Sequence, residues 1–383
     1  MRTECRTLDA PLHRRINSTR WSLMALQFVL MLVIGGCATS RNAAPGVDRV
    51  SLMAFNVENL FDTVDAAGKD DATYLPIAQK QSAAHIAGCN EIEVDRWRDQ
   101  CLNWDWNEQV LETKLRVTGA AIRAATDDGR GPDVIALQEV ENIEILERLR
   151  REQLANSGYG PAILIDGEDA RGIDVAFLSR LPVVGDPVLH PVRFADDVAD
   201  ERVADTRGIL ETTFELPDGR LLTGFSVHFP APFHPTEMRI SAYRSLNALL
   251  DALPKDRYAF AAGDFNTTSL ENQREDLLGR FARPQWQLAH ELIDTATPGN
   301  CRGTSYYARD DSWSYLDMVL WASNRDDPRR SENATWQLRP ESARCANGLP
   351  EQVTERGTPN RFAMPAATGV SDHWPLYVEI EIE

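Results

Sequence analysis

Short apolar runs, rich in β-branched and aromatic residues, punctuate the chain between longer polar stretches. Residues 49–57, 133–140, 172–178, 209–216, 221–228, 258–262, 315–321 and 374–382 have the length and composition of strands. Between them the spacing changes to helical. In residues 108–126, Leu111, Leu115, Ile122 and Ala125 fall on one face, and in residues 236–253 Arg239, Tyr243, Leu246 and Leu250 repeat at the same period. Strands interleaved with helices predict layered α/β packing. Two long polar regions interrupt the pattern. Residues 64–107 carry Trp97, Trp104 and Trp106 and read as an insertion after the first strand, and residues 300–314 with 324–352 form the other. Each is a lid, a wall that selects substrate, or a plain surface loop.

Several strand-like runs end on residues able to do chemistry: Asn56, Glu139, His228, Asp264 with Asn266, Asp317, and Asp372 with His373. Hydrolysis of a phosphodiester needs charge neutralised on its oxygens, an oriented water and a proton for the leaving oxygen. A carboxylate and an amide oxygen, here Glu139 and Asn56, suit a hard divalent cation that keeps several of its waters. His373 and His228 suit proton transfer or charge stabilisation. Each residue also has an ordinary reading. Glu139 could cap the helix that starts near Asn142, Asp264 with Asn266 could form an Asx-turn, and either histidine could be a satisfied buried ring.

Taken in order, Met53 to Asp62, Pro132 to Val140, Phe225 to His228, Ala262 to Asn266, Ser314 to Leu320 and Ser371 to Pro375 resemble the motifs of the endonuclease/exonuclease/phosphatase superfamily, the DNase I-like group. The resemblance runs from about residue 48 to the end. It implies an α/β fold of two facing, mostly antiparallel sheets flanked by helices, a four-layer sandwich with the site on loops at one end. It also implies Mg2+ or Mn2+ as cofactor. On that resemblance His373 activates or positions the attacking water and Asp317 fixes its ring. Asp264 orients the nucleophile, Asn266 contacts the scissile phosphate, and His228 is the general acid. Asp174 is the candidate carboxylate partner of His228. Arg207 resembles a family arginine that contacts phosphate, Glu139 is the main metal ligand with Asn56, and Asp372 and Glu58 are candidates for a second metal position or for support. The run His228-Phe229-Pro230-Ala231-Pro232 and Arg207 favour a nuclease with nucleic acid as its partner. A phosphatase or a sphingomyelinase-like lipid phosphodiesterase would use the same scaffold, and a noncatalytic binding module is the reading from another class.

Composition narrows this further. The 383 residues carry a formal net charge of -18, which opposes nonspecific gripping of long nucleic acid unless local arginines and bound metal invert the field. No repeat divides residues 48–383, so one monomeric catalytic domain is expected. At the N-terminus Arg14, Arg15 and Arg20 precede an apolar run too short to span a membrane comfortably, ending in Ile34-Gly35-Gly36-Cys37. That ending resembles the lipobox of bacterial lipoproteins. It implies a signal peptide over 1–36, lipid on Cys37, a tether over 37–47 and a bacterial envelope location, outer membrane by virtue of Ala38, facing the periplasm or the outside. A plain secretory signal with an incidental cysteine is the alternative. Four further cysteines allow three pairings. Closeness in sequence favours Cys89 with Cys101 and Cys301 with Cys345, with zinc ligation as the alternative.

Overall fold

Along β1 (Arg49–Leu60), Val50, Leu52 and Ala54 pack into one apolar cluster while Met53, Phe55 and Val57 pack into another. A strand buried on both faces has to lie inside a layered structure. The computed structural model describes residues 48–195, 197–296, 301–322 and 335–382. Within them β2 (Val134–Val140), β3 (Ile163–Leu164), β4 (Asp174–Ser179), β13 (Trp336–Leu338), β14 (Arg344–Cys345) and β15 (Leu376–Ile382) join β1 in one sheet, ordered β13-β15-β1-β2-β4-β3 with β14 also on β15. A second sheet runs β5-β6-β7-β8-β12-β9, built from β5 (Val188–His190), β6 (Ile209–Glu215), β7 (Leu221–His228), β8 (Tyr258–Asp264), β9 (Gln287–Leu288) and β12 (Asp317–Ala322). The β1–β2 and β7–β8 pairs are parallel and the other neighbours antiparallel.

The sheets meet through Leu52, Ala136, Phe177, Phe214, Phe260 and Trp321, which share one buried cluster. Outside the first sheet lie α3 (Glu108–Ala124) and α4 (Ile143–Gln153), which bury Leu111, Leu115 and Ile122 with Leu146 and Leu149. Outside the second lies α6 (Thr236–Ala252), burying Tyr243, Leu246 and Leu250 against Phe225 and Ala261. This is the expected four-layer sandwich. Asn107 and Asn142 start α3 and α4 by accepting the amides of Val110 and Ile145. Asn142 therefore takes the capping role that was open for Glu139.

Residues 64–107 form short turns, α1 (Ala83–Asn90) and α2 (Asp95–Asn103), clamped by a Cys89–Cys101 disulfide. Despite its polar sequence the segment docks firmly. Trp106 is buried with its indole N–H on the Phe61 carbonyl, and Tyr74 stacks on Phe61 with centroids 4.1 Å apart. Of the other polar region, residues 305–314 form a hairpin of β10 (Ser305–Tyr307) and β11 (Ser312–Ser314), and Cys301 just before it is bonded to Cys345. No helix among the described residues is long and apolar enough to cross a membrane. The predicted signal peptide, Cys37 and the tether lie outside the described residues.

Non-reducing peptide mapping should recover Cys89 linked to Cys101 and Cys301 linked to Cys345. Because the second bridge closes 44 residues, replacing both its cysteines by alanine should cost about 4 kcal/mol in denaturant unfolding. Recovery of crossed pairs would contradict the pairing.

Candidate active site

The ends of β1 and β2 are bent by irregular backbone. Register shifts fall between Asn56 and Leu60 and between Gln138 and Val140, and within them Glu58, Asn59 and Glu139 take φ of 54°, 61° and 62°. A left-handed conformation is costly for a glutamate, and a bulge re-aims the side chain it carries. Here it turns the Glu139 carboxylate toward Asn56. Gly263 has φ 143°, and a Cβ there would stand 2.0 Å from the Val227 carbonyl oxygen, so only glycine lets β8 lie against β7 at this point. The same register sets His228, Asp264 and Asp317 side by side on β7, β8 and β12.

Asn56 joins these groups across the two sheets. Its side-chain NH2 donates to Glu139 Oε1 at 3.2 Å and Asp264 Oδ2 at 3.1 Å, and its backbone N–H to Asp317 Oδ1 at 3.2 Å. The amide oxygen accepts the Glu58 N–H at 3.0 Å. Glu139 Oε2 accepts the Asn59 N–H at 3.0 Å. On the C-terminal loop, Ser371 Oγ donates to the Asn56 carbonyl and delivers His373, whose Nδ1 lies 2.6 Å from Asp317 Oδ2 and whose Nε2 lies 3.9 Å from Asp264. Asn266 turns back at φ 49°. Its N–H bonds Asp264 Oδ1 at 2.8 Å and its side chain donates to the Phe229 carbonyl, so the Asx-turn is real and holds Asp264 in place.

The two histidines carry opposite electrostatics. Burial disfavours a charge on His373, but the carboxylates of Asp317, Asp264 and Asp372 outweigh it and raise its pKa well above the usual value. For His228, burial and the Arg207 guanidinium act together and push it well below. Arg207 Nη2 lies 3.1 Å from both ring nitrogens of His228. Burial raises Asp264 to about 7, with His373 lowering it and Asp317 raising it. Burial also works against an ionised Glu139, yet Arg171, the Asn56 amide and His373 hold it below the ordinary glutamate range.

Asp174 does not serve as the partner of His228. Its carboxylate accepts the Gly167 N–H at 3.0 Å, and the ion-pair neighbour of His228 is Asp264, 3.6 Å away. The reason is register: β4 pairs with β2 in the first sheet, whereas His228 ends β7 in the second. The general-acid role expected of His228 meets a second obstacle, since burial and the Arg207 guanidinium both push its pKa well below the usual value and so disfavour the imidazolium that would give up a proton. Glu58 is fully engaged, accepting from Arg361 and from the Phe362 and Asp372 amides, so it fixes the loop that carries His373. Asp372 is half-exposed, 3.8 Å from Arg361. Among the described residues no third histidine, cysteine or carboxylate converges with Glu139 and Asp372 into a cage for an ion.

Sequence reasoning passed over Arg171, Lys114 and Asp169. Arg171 donates to Asn59 Oδ1 at 2.6 Å and directs its charge at Glu139. Buried Lys114, pushed down to about 8 by desolvation, donates to the Val370 carbonyl beneath the Ser371 loop. Asp169 pairs with Arg207 at 3.3 Å. Only Arg171 and Asp169 had any signal, as charged neighbours of the Gly172-Ile173-Asp174 strand start.

Comparison with known proteins agrees with the fold. The model of the "Endonuclease/Exonuclease/phosphatase family" matches residues 106–373. Among solved structures, an endonuclease/exonuclease/phosphatase from Bacteroides vulgatus aligns at 14% identity and TM-score 0.51, covering 88% of this chain and 99% of that one. A protein of the same description from Beutenbergia cavernae aligns at 16% identity and TM-score 0.48, covering 88% and 72%. Truncated Caenorhabditis elegans TDP2 aligns at 12% identity and TM-score 0.48, covering 87% and 97%. No curated protein sequence matches.

Gly263→Ala should destabilise the protein by more than about 3 kcal/mol in urea unfolding, because backbone must move to admit the methyl group. A loss below about 1 kcal/mol would show that the β7–β8 contact is not as close as described.

Proposed function

The chain belongs to the endonuclease/exonuclease/phosphatase family, and from that premise we propose that it hydrolyses phosphodiesters with a divalent metal, nucleic acid being the substrate. The observation that carries the reading is the convergence of Glu139, Asp264 and the Asp317–His373 pair on one residue, Asn56, the first two on its side-chain NH2 and Asp317 on its backbone N–H. Such a cluster of buried carboxylates with opposed histidines suits proton transfer and charge stabilisation.

The donor set fits a hard cation. Glu139 stays ionised, each of its oxygens accepts one N–H and keeps lone-pair capacity, and the surrounding donors are oxygen rather than sulfur. Glu139 would hold Mg2+ or Mn2+ with water filling the remaining positions. Asn56 serves the carboxylates through its NH2, while its oxygen accepts the Glu58 N–H and keeps a second lone pair that could join Glu139 at the cation. A bound cation supplies neutralisation of the phosphate oxygens against which the nucleophile must move.

The chain's own groups divide the remaining work. Asp264, near neutrality in its proton affinity, accepts a proton from the attacking water. His373, its charge favoured by Asp317 at Nδ1, faces the charge that develops on phosphorus oxygens and can give its Nε2 proton to the leaving oxygen as the P–O bond breaks. The neutral His228 and its neighbour Arg207 offer hydrogen bonds to the phosphate on the other side. That buried guanidinium beside the ring supports a substrate with charged oxygens, as in a nucleic-acid strand.

Export and lipid anchoring through Cys37 belong to the same reading. Two disulfides in the catalytic unit support an oxidising compartment.

Purified mature protein should cleave plasmid DNA, single strands or RNA only with Mg2+ or Mn2+, stop on chelation, and lose roughly a hundred- to ten-thousandfold in kcat/KM on His373→Ala. Turnover confined to sphingomyelin or a phosphomonoester would keep the mechanism and reject nucleic acid. Silence on all of them would contradict the enzyme.

A further inference from the structure

Beside the hydrolytic centre opens a cavity of about 680 Å3 whose walls it shares. Asn59 lines the cavity and gives its N–H to Glu139 Oε2 at 3.0 Å, and Arg171 lines it while bonding the Asn59 side chain. Whatever is attached to a phosphate at Glu139 therefore meets this cavity next.

Its aromatic content is unusual for a soluble surface. Trp97 on α2 is 55% exposed and Phe233, on the loop after β7, is 71% exposed, and both line the cavity. Tyr74 and Trp106 add further lining, packed edge to face with centroids 5.3 Å apart. Leaving two large rings in water from separate elements has a cost that a stacked ligand would remove. Charged groups of both signs accompany the rings, the carboxylates of Glu58, Asp70, Glu201 and Asp205 lining the cavity as well as arginines. Arg171 and Arg96 line the cavity, and among the described residues neither has a carboxylate partner within 4.0 Å. Asp70, Thr73 and Gln100 are interleaved with the rings, and an acyl chain would leave those polar groups unpaired. A flat ring with donors and acceptors on its edge would satisfy both.

The wall is also held in advance of binding. Cys89–Cys101 ties α1 to α2, Lys69 Nζ donates to the Gly167 and Asp169 carbonyls, and the Asp70 N–H bonds Ala170 O at 2.8 Å. These bonds anchor residues 64–107 to the loop that carries Arg171.

Building on the nucleic-acid reading above, we propose that this cavity is a subsite for one unpaired nucleobase next to the scissile phosphate, stacked by Trp97 and Phe233, with Arg171 on the adjoining phosphate. Stacking on aromatic rings is tolerant of sequence because every base has a flat face, so the subsite selects single-stranded or frayed ends rather than a sequence. It also reconciles nucleic-acid binding with a net charge of -18, since one pocket rather than a long basic groove does the gripping.

The test compares a single-stranded oligothymidine with an abasic deoxyribose-phosphate oligomer of equal length, using wild type, Trp97→Ala and Phe233→Ala. Both replaced rings are exposed, so the variants should unfold at the wild-type temperature and any change should reflect the cavity. Wild type should prefer the oligothymidine. Each variant should reduce that preference roughly five- to hundredfold through KM rather than kcat, the span found for loss of a stacked base. A preference that survives both variants would overturn the subsite and leave the nuclease intact. Hydrolysis of sphingomyelin with no nucleic-acid cleavage would overturn both. If wild type turns over neither, anisotropy of labelled oligothymidine decides: saturable binding weakened by Trp97→Ala supports the subsite, and its absence ends it.

Discussion

The side-chain amide of Asn56 lies where the two sheets meet at the site. Asn56 belongs to β1 in the first sheet, while Asp264 and Asp317 belong to β8 and β12 in the second. Asp264 and Asp317 are almost wholly buried beside the partly buried Glu139, and so close a group of like charges is stable only with donors between its members. Asn56 supplies two side-chain N–H bonds and one backbone N–H, and its carbonyl accepts the Ser371 hydroxyl that brings in His373. The sheet packing, the spacing of the carboxylates and the approach of the C-terminal loop thus share one residue.

Around that amide the fold separates charge. Asp317 favours the cation at His373 on one side, and burial with Arg207 disfavours it at His228 on the other. Backbone strain is concentrated in the same few residues, with Glu58, Asn59, Glu139 and Asn266 all at positive φ. Strain of this kind persists where surrounding bonds over-determine it, and each of these residues is fixed by a hydrogen bond to another member of the site.

How much could be read beforehand follows the range of the interactions. The strand cores were legible because their runs are apolar throughout, as in Ala259, Phe260, Ala261 and Ala262 of β8. Their ends were less so: β1 runs on to Leu60 through its bulge, and β12 begins at Asp317 rather than Tyr315. The site residues were legible because each ends such a run. What escaped was contact between distant segments. Arg361 binds Glu58 across 303 residues, and Arg207 rather than a carboxylate flanks His228, neither of which leaves a local pattern. Residues 64–107 read as a polar insertion with lid, wall and surface loop all open, and Trp106 with Tyr74 makes them a packed wall, because a few buried rings outweigh many solvated charges.

The most direct test of this charge separation is to record the side-chain nitrogen resonances of His373 and His228 by NMR across neutral pH in the metal-free protein. His373 should be an imidazolium with both nitrogens protonated, and His228 a neutral ring that does not titrate above its usual range. A neutral His373, or a protonated His228 at neutral pH, would contradict the charge separation.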